Sequence, residues 1–261
     1  MLRSLQTAAT GMDAQQRLVD TLSNNIANVN TTAFKKSRPH FNDLLYQNTR
    51  APGLNAADGT VSPSGIQVGN GVRLVSIDKS FEQGAVQITG KDTDLMIRGR
   101  GFFRIQTPDG QVGYTRDGAF QRAADGRMVT NEGFPVVPEV IIPAEATDLK
   151  VGIDGTVTIK VPGEVESRNL GQMQIANFIN PAGLESIGRN LYMQTPASGE
   201  PLVTAPGANS SGLIGQGELE TSNVNIVDEM VQMIQGQRAY ELNSKVIKTS
   251  DEMLASTNQM R

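Results

Sequence analysis

Apolar residues recur at helical spacing at both ends of this chain, while the middle is broken by turn dipeptides, and that contrast limits what it can fold into. From Leu2 the stripe runs through Leu5, Ala9, Met12, Val19, Leu22, Ile26 and Val29, in steps of three and four that only Gln16 interrupts. It then meets Asn28, Asn30, Thr31 and Thr32, whose short polar side chains compete for backbone hydrogen bonds. A helix of about 40 Å ending near Asn28 is predicted. At the other end, Asn225 is a good N-cap, and Asp228 and Glu229 place negative charge where the helix dipole favours it. The helix that follows carries two neighbouring stripes. One is Ile226, Met230, Met233, Tyr240, Ile247 and Leu254; the other is Val227, Val231, Ile234, Leu242, Val246 and Met253. Together they are wider than one partner helix covers. Such helices can pack on their own domain or on other chains, and the strand-like middle offers no helical layer to receive them.

Asp109-Gly110, Asp117-Gly118, Asp125-Gly126 and Asp154-Gly155 punctuate that middle as hairpin turns, because both positions of Asp-Gly tolerate positive φ. Strands fit between them at Phe102 to Thr107, Val112 to Arg116, Ala119 to Arg122 and Arg127 to Thr130, an antiparallel meander. Others fit at 94–97, 136–142, 149–153, 157–161 and 173–178. An all-β core with Greek-key or barrel-like closure is predicted. Two stretches rich in Gly, Pro, Asn, Ala and Ser flank it, Asn48 to Gly71 and Thr195 to Gly217. They read equally as flexible linkers or as irregular structure ordered by neighbours. The fold class is therefore α+β: long terminal helices forming a coiled-coil-like domain, joined by extended linkers to the β core. The expected divisions are 1–30 with 225–261, 31–79 with 200–224, and 80–199.

With 5% aromatic residues and no Trp, few large anchors serve a deep core, which favours a thin, extended architecture. The net charge is −4 and the lysines and arginines are scattered, so the basic stripe that nucleic acid requires is missing. Without cysteine there are no disulfides, thiolate metal sites or thiol nucleophiles. Polar residues break Met1 to Asp20 too often for a cleavable signal, and no stretch approaches the roughly 20 apolar residues of a membrane helix.

Catalytic patterns fail for stated reasons, and no cofactor or metal is expected. His40 is the sole histidine and no nucleophile elbow accompanies it. Ser76-Ile77-Asp78-Lys79 fits the S-x-x-K pattern without its companion motifs. Gly99-Arg100-Gly101 is followed by Phe102-Phe103 where a phosphate loop needs a third glycine and a helix. Asp92 and Asp94 begin no calcium loop, since Met96 occupies the next ligand slot. Nothing near Glu164 and Glu166 would shield a catalytic pair. Lys35, Lys36 and Arg38 read as a solvated turn at the helix exit.

The run Leu22-Ser23-Asn24-Asn25-Ile26-Ala27-Asn28-Val29-Asn30-Thr31-Thr32-Ala33-Phe34-Lys35 resembles the amino-terminal signature of the flagellar rod, hook and hook-associated family. Glu220 to Asn225, with Met230, Met233-Ile234, Gln237-Arg238-Ala239-Tyr240-Glu241, Asn243 and Lys245, is similar to its carboxy-terminal one. Gly101-Phe102-Phe103, Tyr114 to Gly118 and Gly188 to Tyr192 look like its β core. Leu44-Leu45-Tyr46-Gln47 before Pro52-Gly53, and Gly65 to Val72, resemble the distal-rod branch, with a proximal rod or hook-type protein of the same family as the alternative because the helical signatures are shared. The resemblance implies a non-enzymatic subunit exported unfolded through the flagellar type III apparatus without a cleaved signal, then built into a rigid helical tube in the basal body, spanning the periplasm. Its implied partners are further copies of itself, proximal rod proteins, the hook protein and the periplasmic and outer-membrane bushing rings.

Physical reasoning places self-assembly on Leu2, Leu5, Met12, Val19, Leu22 and Ile26 of the first helix. On the second it falls on Ile226, Val227, Met230, Met233, Ile234, Tyr240, Leu242, Ile247 and Leu254. Burying wide apolar faces drives contacts that repeat without closing. Monomers should then have frayed termini, an expectation that slow amide exchange across Leu2 to Ile26 would contradict. Gln16 on the stripe is expected to fix helix register, as a buried Asn does in coiled coils. A monomeric extracellular binding module with a coiled-coil stalk is the reading from a different functional class; it predicts a defined dimer or trimer and no filaments.

Overall fold

The computed structural model describes residues 2–50, 64–163 and 166–259, so Pro52-Gly53, Asp58-Gly59, Pro63 and Glu164 lie outside the described residues, as does the side chain of Leu2. Helix α1 is Leu2–Ala27 and helix α2 is Ile226–Gln259. The chain divides into two units, one of Met1–Ala27, Ser37–Asp78 and Asn225–Arg261, the other of Asn28–Lys36 and Lys79–Val224.

In the first unit α1 and α2 pack antiparallel, with Ser4 opposite Ser250 and Asn25 opposite Glu229. Strand Ser37–Asp43 pairs with Val72–Lys79, and Gln47–Arg50 pairs antiparallel with Ile66–Val68, so the first Gly/Pro-rich stretch closes as a hairpin at its described ends. At Gly71 (φ +114°) a side chain would be strained and its Cβ would fall 2.1 Å from Thr10 Oγ1, so only glycine lets the hairpin lie this close to α1.

The second unit is β. Its largest sheet runs in the order Glu185–Gly188, Leu191–Met193, Val112–Thr115, Phe102–Gln106, Ile175–Asn177, Leu202–Thr204, with Val136–Val137 also on Phe102–Gln106. This sheet is open, and the expected barrel-like closure does not form. One edge, Glu185–Gly188, carries a register break between Ser186 and Gly188, an irregularity of the kind that discourages a further strand from adding at a sheet edge. Asp148–Val151, Thr156–Lys160 and Arg168–Gln172 form a three-stranded sheet, and Leu213–Gln216 pairs with Leu95–Arg98. The Thr195 to Gly217 stretch thus supplies two strands to this unit.

Three of the Asp-Gly dipeptides turn hairpins as expected: Phe102–Gln106 with Val112–Thr115, Phe120–Arg122 with Met128–Thr130, and Asp148–Val151 with Thr156–Lys160. Asp117-Gly118 does not, because the strands on either side of it belong to different sheets. There the chain crosses over. The Gly118 carbonyl accepts the Leu95 amide at 3.0 Å, and a Cβ on Gly118 would fall 1.6 Å from the Leu95 carbonyl oxygen. The glycine is needed for close approach rather than for a turn.

Leu95, Ile97, Phe103, Ile105, Phe120 and Ile175 are fully buried at the centre of this unit, where the Phe103 and Phe120 rings meet edge to face at 5.2 Å. All the phenylalanines except Phe41 fall in this unit. The helix pair therefore has little aromatic area with which to stabilise itself.

Candidate assembly interface

Helix α2 begins as its residues dictate. The Asn225 Oδ1 accepts the Val227 amide at 3.1 Å, and the Asn225 Nδ2 donates to Asp228 Oδ2 at 2.8 Å. Its inner face lies on α1: Glu229, Gly236 and Ser250 are buried, and Met233, Asn243, Ile247 and Leu254 are half-buried. Gly236 permits close approach, since a Cβ there would sit 3.3 Å from Val19 Cγ2. On α1, Leu22 is buried and Leu5, Met12, Val19 and Ile26 are half-buried.

Members of both stripes are left uncovered by the described residues. Ile226, Val227, Met230, Val231, Ile234, Tyr240, Leu242, Val246 and Met253 are between 41% and 67% exposed. So many large apolar side chains on one helix exceed what a free soluble surface ordinarily shows. Beside them a groove of about 300 Å³ is lined by Gln15, Gln16, Val19, Gln237, Tyr240 and Glu241. Of the residues assigned to self-assembly from sequence, six on α2 are thus open and the described remainder face, wholly or partly, into the helix pair. Gln16 is exposed rather than seated in the seam, and the polar residues buried on α1 are Thr21 and, most deeply, Asn25.

The expected solvated turn at Lys35 is corrected by the structure, which buries this lysine completely. Its Nζ donates to Glu220 Oε1 at 2.5 Å and to the Glu82 carbonyl at 2.6 Å, while Glu220 Oε1 also accepts the Gly84 amide. Arg116, also buried, donates through both terminal nitrogens to the Gly99 carbonyl and holds its Nε 3.8 Å from Glu220 Oε2. Burial pushes the Lys35 ammonium below its ordinary range, against the attraction of Glu220. The available signal was a cation directly after the apolar pair Ala33-Phe34; its partner lies 185 residues away.

Tyr192 packs beside this cluster, and burial pushes its phenol up to about 12. An acid with a raised folded value contributes stability that is complete below its unfolded value and lost as pH rises through the folded one. The β unit should therefore lose on the order of 2–3 kcal/mol between about pH 10 and 12. Lys35 acts oppositely, since its lowered value makes the folded state gain as pH approaches 10.5 from below. Denaturant unfolding across this range should show that Tyr192→Phe removes the alkaline loss; an unchanged pH profile would contradict the assignment.

His40 lies on Ser37–Asp43 with its Nε2 3.4 Å from Asp78, both half exposed. Among the described residues no cluster of His, Cys, Asp or Glu could hold a metal ion, and no helix is long and apolar enough to cross a membrane.

Three family models match the chain. They are the flagella basal body rod protein over residues 5–35, the flagellar hook protein FlgE/F/G D1 domain over 96–159, and the flagellar basal body rod FlgEFG protein C-terminal over 216–260. The flagellar basal-body rod protein FlgG of Buchnera aphidicola subsp. Schizaphis graminum is 49% identical over 260 residues, covering 100% of both chains. The chain belongs to the flagellar rod and hook protein family. The FlgG of Borreliella burgdorferi is 46% identical over 100% of this chain and 99% of its own, and that of Caulobacter vibrioides 45% over 100% of both. Within that family this chain is a structural subunit of the flagellar basal-body rod, where it is located. The exposed stripe of α2 lies inside the segment matched by the C-terminal rod model, and Asn25 and Lys35 lie inside the segment matched by the N-terminal one.

Proposed function

We propose that this chain is the distal rod subunit and that it polymerises helically into a rigid hollow shaft through the exposed stripe of α2. The observation that carries this reading is that set: large apolar side chains on the sides of α2 turned away from α1, left exposed by the described residues. Burying a large apolar side chain contributes up to about 1.5–3 kcal/mol, and several at once can exceed the cost of association. A contact between different faces of identical subunits whose rotation does not close a ring repeats indefinitely and yields a helical polymer.

In this reading the helical segments 1–30 and 225–261 form a coiled-coil inner tube, 31–79 and 200–224 connect, and 80–199 faces outward. Rod membership implies association with other basal-body components; we assign these as further copies, the proximal rod, the hook and the surrounding bushing rings. Export occurs through the type III apparatus, the shaft transmits torque, and its lumen passes later subunits. Electron microscopy of the concentrated purified chain should show straight hollow rods, and a deletion strain should be non-motile with rods truncated before the hook. A defined dimer or trimer with no filaments, together with a motile deletion strain, would overturn this in favour of a binding module.

A further inference from the structure

The two helices meet at levels seven residues apart. Ser4 Oγ lies 3.5 Å from Ser250 Oγ. A Cβ on Gly11 would be 3.0 Å from Asn243 Nδ2, and one on Gly236 would be 3.6 Å from Leu18 Cδ2. Asn25 Nδ2 donates to Glu229 Oε2 at 3.0 Å. Each heptad step up α1 is matched by a heptad step down α2, the repeat of an antiparallel coiled coil.

Three of these levels would tolerate displacement. Sliding α2 by one heptad, about 10 Å, sets Ser4 against Asn243 and Gly11 against Gly236. Sliding it the other way sets Gly11 against Ser250 and Leu18 against Asn243. Small and amide side chains fit either arrangement. The Asn25 level does not. Asn25 is 1% exposed and Glu229 5% exposed, so separating them strands a carboxylate, which costs far more than an apolar mismatch. Displacement one way sets Glu229 against Leu18, and displacement the other way carries it beyond the end of α1. The Asn25 amide is also held in orientation, because its Oδ1 accepts the Ser37 amide and its Nδ2 donates to the Ser37 carbonyl, both at 2.9 Å. This level joins α1, α2 and the start of strand Ser37–Asp43.

We propose that Asn25 and Glu229 are the positioning pair that selects one register for the helix pair, a role the sequence had suggested for Gln16. The proposal rests on the helix pair alone and holds whichever polymer the chain forms. It explains how a seam whose other heptad levels are mostly serine, glycine and asparagine, with Leu18 the one large apolar residue among them, adopts a single alignment.

Because the chain has no cysteine, register can be read by disulfide trapping in the purified full-length protein. Ser4→Cys/Ser250→Cys reports the aligned register; Ser4→Cys/Asn243→Cys and Leu18→Cys/Asn243→Cys report the two displaced ones. In the parent only the first should cross-link. Adding Asn25→Leu and Glu229→Leu together leaves no stranded carboxylate; the aligned cross-link should fall at least about twofold and a displaced one appear, as when a coiled coil loses its polar key. Glu229→Gln keeps an acceptor for Asn25 and should retain the aligned pattern. A doubly substituted chain that still cross-links only through Ser4→Cys/Ser250→Cys at the parent yield would overturn the proposal. So would loss of every cross-link together with the helical circular dichroism signal, since the pair would then support folding rather than choose a register.

Discussion

Glu220→Leu should lower the stability of the β unit by about 3–5 kcal/mol, the cost of leaving buried charge uncompensated. The substitution leaves Lys35 and Arg116 as two buried cations facing one another across an apolar side chain, and it removes the acceptor for the Lys35 Nζ and the Gly84 amide. Denaturant unfolding followed by tyrosine fluorescence can measure this in a chain without Trp. Adding Lys35→Met should restore much of the loss, because an apolar pair in place of a buried ion pair is often close to neutral. A loss below about 1 kcal/mol, the range of exposed ion pairs, would mean that water reaches the cluster.

Val231→Glu/Leu242→Glu should abolish rod formation while leaving the monomer nearly as stable as before. Both residues are about half or more exposed, and glutamate is a good helix former, so the change in monomer stability should stay within about 0.5 kcal/mol. Two carboxylates on the apolar stripe would each have to be desolvated on assembly, which none of the contacts described here would offset. Negative-stain microscopy and a motility assay read the outcome. Rods of normal length from this variant would move the interface off α2, and a shifted unfolding midpoint would mean that the stripe packs within the monomer.

Local signals carried much of the fold. Asn225 announced the start of α2 and the Asn28 region the end of α1, because capping is decided within a few residues. Asp109-Gly110, Asp125-Gly126 and Asp154-Gly155 turned their hairpins for the same reason. Asp117-Gly118 has the same residues, yet the neighbouring Leu95 backbone overrode the turn preference. Lys35 and Asn25 were hidden by distance: each is specified by a carboxylate far along the chain, and the one local sign at Lys35, the apolar pair before it, does not name that partner. The double stripe of α2 was legible as a pattern, but the division into one face against α1 and one face open needed the seam.

The buried lysine also bears on mechanical strength. The segments that lead to and from the two helices run side by side within the β unit: the Ala33 amide donates to the Glu220 carbonyl at 2.8 Å, the Lys36 amide to Asn223 Oδ1 at 2.8 Å, and Lys35 to Glu220 itself. Force on either segment must break bonds to the other as well as its own. Two segments that must yield together resist shear better than one that peels, so under load the chain should give way first at some point other than this junction.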